Sequence, residues 1–338
     1  MNQTEDNKTS QQVIDEMFMR RCLQLARNGQ QNAKPNPMVG AVIVVPRGER
    51  EERGERREER SWEGVENEGW RIIGEGYHAR CGEAHAEVNA FLSVSREDEP
   101  LLKEATIYVS LEPCAHYGKT PPCADLIVSK GVRRVVVGSI DPFAQVQGRG
   151  IRKLRDAGIE VTVGVLRQEC EELNKRFFTF HRSQRPYIIL KWAQTANGFL
   201  DDNFRPVAIS TPFTQMLGHK LRAEEDAILI GRVTDEREHP LLTVRHWHGP
   251  NPKRLVVDHQ HPLNLHSLYT QNVQSLIVEG GAYTLQRFLD DDLWDEIRVE
   301  TGTITVTGGT RAPLLPANAK VKTTEHYDGN TIVTYQRI

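Results

Sequence analysis

The chain has 338 residues, enough for two domains that each bury a core. Its 43 basic and 46 acidic residues leave a net charge of −3, which argues against a nucleic-acid binder, a class that carries a marked basic excess. No apolar run approaches the roughly 18 residues a membrane span needs, the polar start (Met1-Asn-Gln-Thr-Glu) lacks the apolar stretch of a signal peptide, and five cysteines suit a reducing cytoplasm better than a disulfide framework.

In chain order, residues 1–10 read as a polar tail. Gln12–Asn28 has apolar residues near helical spacing and Gly29 to close it. Lys34-Pro-Asn-Pro-Met38 is a turn, because each proline holds its predecessor extended. Val39–Val45 is an apolar strand. Residues 47–69 form a charged insertion, almost all Arg, Glu and Gly, which cannot bury enough apolar surface to order itself in a core. A salt-bridged exposed helix and a basic arm are the other readings of that run. Trp70–Tyr77 resumes the strands, and His78 after it either faces a ligand or sits at the surface. Ala84–Val94 reads as a helix with His85 in its first turn, Thr106–Leu111 as a strand, and Pro122–Lys130 as a helix closed by Gly131. Arg133–Gly138, Gly150–Ala157 and Glu160–Val165 continue a strand–helix–strand alternation, and Cys170–His181 is one more helix. Such alternation is the pattern of a three-layer α/β domain.

Gln184-Arg-Pro186 reads as a linker, separating a domain at 11–183 from one at 184–338. The second half has strands at Tyr187–Ala193, Ala227–Gly231, Arg254–Asp258, Ser275–Val278, Glu296–Thr301 and Thr331–Tyr335. Helices are expected over Thr211–Glu225 and from Gly280-Gly281 to Leu289. This is a second α/β domain, with no repeat of the first.

The chemistry concentrates in Cys81-Gly-Glu-Ala-His85-Ala-Glu87 and Glu112-Pro-Cys114-Ala-His-Tyr-Gly-Lys-Thr-Pro-Pro-Cys123. One imidazole (His85) and two thiols (Cys114, Cys123) make three zinc ligands, which leaves the open position of a catalytic site; a closed structural site needs a fourth, for which Cys81 and His116 are the nearest candidates. Glu87, two residues after the imidazole, is the catalytic carboxylate placed to shuttle a proton. His-x-Glu followed by Pro-Cys-x-x-Cys marks the zinc nucleobase deaminases, but here eight residues, not two, separate the thiols. The loop between them carries His116, Lys119 and Thr120, donors that suit a phosphate. In the second half, Val278-Glu-Gly-Gly281 closes a strand and opens a helix, a place where backbone N–H groups hold phosphate; a plain tight turn is the other reading.

The spacing resembles that of the bifunctional riboflavin-biosynthesis deaminase/reductase family. The likeness rests on His85–Val88, Pro113–Cys123, Pro35-Asn-Pro-Met-Val-Gly-Ala-Val-Ile43, Gly74-Glu-Gly-Tyr-His78, Leu173-Asn-x-x-Phe-Phe178 and, in the second half, Lys191–Gly198, Leu221-Arg-Ala223, Gly231-x-x-Thr234 and Pro240–Arg245. It implies a cytidine-deaminase-like α/β/α domain followed by a dihydrofolate-reductase-like α/β domain, with Zn2+ and NADPH as cofactors. It implies a small-molecule pyrimidine ribose phosphate as substrate, with Asn36, His116, Lys119 and Thr120 contacting it in the first half. In the second, Ala193, Thr234, Glu238 and Gly281 would line the cofactor, and Arg222, Leu242, Arg245 and Glu279 the reductase substrate. No nucleic-acid or membrane partner is implied, and a homo-oligomer is left open. The chain departs from the family pattern where Arg205-Pro-Val-Ala208-Ile-Ser210 replaces Ser-x-Trp-Ile-Thr, Glu238-His-Pro240 replaces Asp-Asp-Pro, and Asn197-Gly198 replaces Asp-Gly. Two alternatives follow: a second half that keeps the fold without hydride transfer, and a zinc nucleoside or tRNA deaminase, against which the thiol spacing and acidic balance speak.

Overall fold

The computed structural model describes residues 10–47, 69–117, 121–143 and 146–337. Most of the expected tail and charged insertion lies outside them, as do Lys119 and Thr120. The chain divides into two compact units, 1–178 and 179–338, a division that falls ahead of the linker expected at Gln184–Pro186.

The first unit contains α1 (Ser10–Ala26), β1 (Gly40–Pro46), β2 (Trp70–Tyr77), α2 (Ala86–Leu92), β3 (Thr106–Leu111), α3 (Cys123–Lys130), β4 (Arg134–Ser139), α4 (Arg149–Asp156), β5 (Glu160–Val163) and α5 (Arg167–Leu173). Its sheet has the order β2-β1-β3-β4-β5. β1 is antiparallel to both neighbours, and β3, β4 and β5 are parallel. Side chains alternate across the pleat, so Ala41, Ile43 and Val45 face one layer and Val42 and Val44 the other. The first set packs with Ala86, Ala90, Ile127 and Leu154 of α2, α3 and α4. The second packs with Phe18, Met19 and Cys22 of α1 and with Cys170 of α5. Helices on both faces explain why these strands read as continuous apolar runs.

On the α1 face, a buried ion pair crosses the apolar layer. Arg134 donates to both oxygens of Asp15, at 2.8 and 2.7 Å, and the Tyr108 hydroxyl donates to the same carboxylate at 2.8 Å. Burial pushes the Asp15 carboxyl up, but the bonds from Arg134, Gln11 and Tyr108 outweigh it and hold it below the usual range.

Three local details differ from expectation. α2 is shorter than 84–94: His85 precedes it in extended backbone (φ −73°, ψ 167°), so the imidazole stands outside the helix and not in its first turn. The single helix expected over Cys170–His181 is two, α5 and α6 (Lys175–Ser183), broken at Asn174. Asn174 is spent elsewhere: its side-chain amide accepts from Met38 N and donates to Met38 O, both at 2.8 Å. A 3-10 turn at Glu99–Glu104 has no clear period and was not expected.

The second unit contains β6 (Tyr187–Gln194), α7 (Pro212–Glu224), β7 (Ala227–Gly231), α8 (Arg232–Glu238), β8 (Lys253–Val257), α9 (Leu265–Thr270), β9 (Ser275–Val278), α10 (Ala282–Asp290), β10 (Glu296–Thr301), β11 (Ala319–Tyr327) and β12 (Asn330–Arg337). The sheet order is β11-β12-β10-β6-β9-β7-β8, parallel from β10 to β8 and antiparallel at β12 and β11. One face packs on Leu285, Phe288 and Leu289 of α10 and Leu268 of α9, the other on Leu221 of α7. α8 and β11 escaped the sequence reading for a common reason. α8 buries no residue and β11 is exposed along almost its whole length, so neither carries an apolar period.

Two constraints position the elements around the first half's motifs. α2 lies so close to β2 that a Cβ on Gly76 would stand 2.5 Å from Ala86 O and nearer still to Ala90 N. Beyond β3, the buried carboxylate of Glu112 accepts from four backbone amides, those of Asp141, Gly148, Gly150 and Ile151, at 2.9–3.3 Å. It thereby gathers the loop after β4 and the start of α4 beside Cys114. Gly76→Ala is expected to force α2 off the sheet and to destabilise the first unit by about 1–3 kcal/mol, the usual range for overpacking. Thermal unfolding followed with zinc content checks this: an unchanged midpoint and full zinc occupancy would refute the close-approach account.

Candidate functional site

His85, at the extended residue before α2, Cys114, just beyond β3, and Cys123, the first residue of α3, converge at one point. Their ligand atoms lie within 4.8 Å of one another, and no other His, Cys, Asp or Glu among the described residues joins the group. The His85 Nδ1 is 3.3 Å from Cys123 Sγ and 3.7 Å from Cys114 Sγ, which identifies Nδ1 as the ring's contribution. The Cys123 amide donates to Cys114 Sγ at 3.3 Å. Both α2 and α3 direct their N-termini here, with amides that favour negative charge. Cys81 is exposed and His116 is exposed, and neither completes a closed four-ligand cage. One nitrogen and two sulfurs with a free fourth position fit zinc in its catalytic form.

Electrostatics around the group agree with that donor set. Hydrogen bonds with Cys123 and His85 hold the Cys114 thiol well below the ordinary range, at about 4, against the cost of burial. Cys123 is pushed up by its bond to Cys114 and by burial. His85 is raised by Cys114 and, after the opposing effect of burial, by Glu87. Glu87 sits in the first turn of α2, 3% exposed. Burial pushes its carboxyl up to about 7, only partly countered by His85.

His78 is not at the surface. It is buried, its Nδ1 lies 3.1 Å from Ala84 O and its Nε2 3.1 Å from Asn36 Nδ2, and its ring meets His85 edge-on with centroids 5.3 Å apart. The Asn36 amide nitrogen therefore donates to Nε2, which makes Nδ1 the protonated atom and leaves the Asn36 oxygen available. Asn36 is thus held beside the three-ligand group. Two buried carboxyls nearby were missed by that reading: Glu112, whose amide bonds are given above, and Asp141, pushed up to about 6 chiefly by burial. The signal for Glu112 was present in Glu112-Pro-Cys114, but a polar residue at a strand end has many ordinary uses.

In the second unit the expected residues fall into two places. Thr234, Glu238 and Gly281 line one cavity of about 620 Å³, along with Arg232, Arg237 and Arg287. The Gly281 amide donates to Thr234 Oγ1 at 3.0 Å, tying the start of α10 to α8. Ala193 is not among the cavity's lining residues; it pairs in register with Glu300 on β10. Arg222 and Glu279 form a bidentate ion pair at 2.6 and 3.3 Å, with Lys191 Nζ 3.8 Å from the same carboxylate. Burial pushes Glu279 up, but Lys191 and Arg222 outweigh it and hold it below the usual range. Arg222 is thus paired with Glu279, while Arg245 is exposed. Leu242 is buried with Tyr187, Leu221 and Ile230, so its side chain belongs to the core. Lys191, within the quoted motif but not named as a site residue, is the cation that reading overlooked.

Comparison with known proteins agrees with both halves. Residues 12–139 match the cytidine and deoxycytidylate deaminase zinc-binding region, and residues 186–267 and 262–332 match the RibD C-terminal domain. A riboflavin biosynthesis protein RibD from Aquifex aeolicus is 39% identical over 269 residues, covering 78% of this chain and 68% of that one. The Escherichia coli RibD is 40% identical over 232 residues, 68% of this chain and 56% of its own. The solved structure of a diaminohydroxyphosphoribosylaminopyrimidine deaminase/5-amino-6-(5-phosphoribosylamino)uracil reductase from Thermotoga maritima is 30% identical, with a TM-score of 0.81 over 97% of this chain and 100% of that one. With a zinc-binding deaminase domain in front and a RibD reductase domain behind, the chain belongs to the RibD family of bifunctional riboflavin-biosynthesis deaminase/reductases.

Proposed function

We propose that the first half deaminates 2,5-diamino-6-ribosylamino-4(3H)-pyrimidinone 5′-phosphate, and that the second reduces the ribosyl chain of the product with NADPH, to give 5-amino-6-ribitylaminouracil 5′-phosphate. The observation that carries the first assignment is the convergence of His85, Cys114 and Cys123 beside a buried carboxyl whose pKa is about 7.

His85 Nδ1 and the two sulfurs would hold zinc. When bound, the ion supplies the Lewis acidity that makes water a nucleophile at neutral pH. The remaining work falls to the chain. Glu87, near the midpoint of its titration at neutral pH, would take a proton from water as the water oxygen bonds to the ring carbon bearing the exocyclic amine, and would return it to that amine, which leaves as ammonia as its C–N bond breaks. Asn36, oriented by His78, presents its free oxygen to the pyrimidine edge. His116, together with Lys119 and Thr120, which lie outside the described residues, would take the phosphate.

In the second half, the cavity between α8 and α10 suits a dinucleotide. Its three arginines and the amides at the start of α10 are anion donors, and Thr234, Glu238 and Gly281 would contact the cofactor. Ala193 would approach it from the end of β6. When bound, NADPH supplies the hydride. Arg222, the backbone at Leu242, Arg245 and Glu279 would border the reductase substrate, with Arg245 taking the phosphate and Glu279 fixing Arg222 and Lys191. We place the enzyme in the cytoplasm: all five cysteines are free, and among the described residues no helix is long and apolar enough to cross a membrane.

Glu87→Gln is expected to keep full zinc and lose at least about a hundredfold in ammonia release, because the amide cannot carry the proton. Elemental analysis and an ammonia assay on the same preparation check this, and turnover within tenfold of the parent would remove Glu87 from its role. Cys123→Ser should instead lose zinc and activity together. For the pair of reactions, protein, pyrimidine substrate and NADPH are mixed, and ammonia and NADPH absorbance are followed together. Ammonia release with matching NADPH loss is expected, whereas ammonia alone would show that the second half does not transfer hydride.

A further inference from the structure

His219 is a buried titratable group of the second unit that neither reaction uses. It lies on α7, one helical turn before Arg222, and is 5% exposed. Its Nδ1 accepts a hydrogen bond from the backbone amide of Arg245 at 3.0 Å. A backbone N–H can only donate, so Nδ1 carries no proton and the ring is the neutral Nε2–H form. The segment it reaches also meets the His219 ring through the Thr243 backbone. Val244 N donates to Asn251 Oδ1 at 2.8 Å, and the Arg245 guanidinium touches its own segment, at Thr243 Oγ1, 3.2 Å away. His246 stands edge-on to the His219 ring with centroids 4.8 Å apart.

We propose that His219 is a positioning residue of the reductase: its neutral imidazole latches the Thr243–Arg245 segment and so sets where the Arg245 side chain meets the substrate phosphate. This rests on the assignment of Arg245 made above. The charged and titratable groups around the ring favour the neutral form. Burial lowers the His219 pKa first, and Arg222 on its own helix and Arg245 and His246 on the facing loop lower it further, against a backbone hydrogen bond with Thr243 that raises it; the carboxylate of Glu279 nearby is taken up by Arg222 and Lys191. The sign follows. A histidine held below its ordinary value keeps its acceptor through neutral pH, and the latch is lost as pH falls through the lowered value, when Nδ1 gains a proton and turns from acceptor to donor.

The test is the KM of the full-length protein for 5-amino-6-(5-phosphoribosylamino)uracil, with NADPH saturating, between pH 5 and 8. His219→Ala should raise KM about tenfold at pH 8, the scale of one misplaced charge-assisted bond, with kcat changed by less than about twofold. His219→Gln, whose amide oxygen can accept but cannot titrate, should restore KM at pH 8. It should also show a smaller acid rise in KM than the parent, keeping only the rise due to the substrate phosphate, which itself titrates near about 6. Arg245→Ala, measured beside them, should match or exceed His219→Ala in KM. An unchanged KM in His219→Ala, or a parent-like acid rise in His219→Gln, overturns the latch while leaving Arg245 in place. An unchanged KM in Arg245→Ala overturns the Arg245 assignment and the latch with it.

Discussion

A missing side chain on β2 governs the first half. Because Gly76 presents only hydrogen to α2, helix and strand meet backbone to backbone, and the start of α2 reaches the level at which β3 ends. There His85 leaves the chain in extended geometry, Glu87 turns inward from the first helical turn, and Cys114 arrives from β3. Glu112 performs the matching task on the other side, by collecting four amides of the β4–α4 connection. Gly150, where a Cβ would collide with the Pro113 carbonyl, closes that contact. The ligand geometry is thus a consequence of two tight packings that no ligand residue makes itself.

The two halves use buried glutamates in opposite ways. Glu87 is buried with an imidazole as its main favourable neighbour, and its carboxyl rises to about 7. Glu279 is buried too, but Lys191 and Arg222 stand against it, and its carboxyl stays below the usual range. The same desolvation acts on both, and the number of cations within reach decides which group can exchange a proton near neutrality and which serves as a fixed charge. The division matches chemistry that needs a proton carried in the first half and a ligand oriented in the second.

Much of the first site was legible in the residue order. The triad of His85, Cys114 and Cys123, with Glu87 beside it, is written in short motifs whose residue types have few other joint uses, and the structure brings all four together. The bond between Asn36 and His78 was not legible, since the two lie 42 residues apart and a lone histidine has no sequence signature for burial. In the second unit the motif at Gly281 lies on a cavity, but the pairing of Arg222 was not legible. Its partner Glu279 is 57 residues distant, and no local pattern announces an ion pair across that separation.

By itself the sequence determined most of the alternation of strands and helices, the two-domain plan and the cluster of His85, Cys114 and Cys123, because apolar period, turn chemistry and ligand type are local properties. It also determined that the strands of the first sheet are covered on both faces. Only the tertiary structure decided which polar groups are spent on one another. Asn174 breaks a helix to bind Met38, Glu112 caps a distant loop, Arg222 is taken by Glu279, and His219 holds the Arg245 amide. Each of these is a satisfied buried donor or acceptor, and satisfaction depends on what the fold brings within about 3 Å, not on what lies next in the chain.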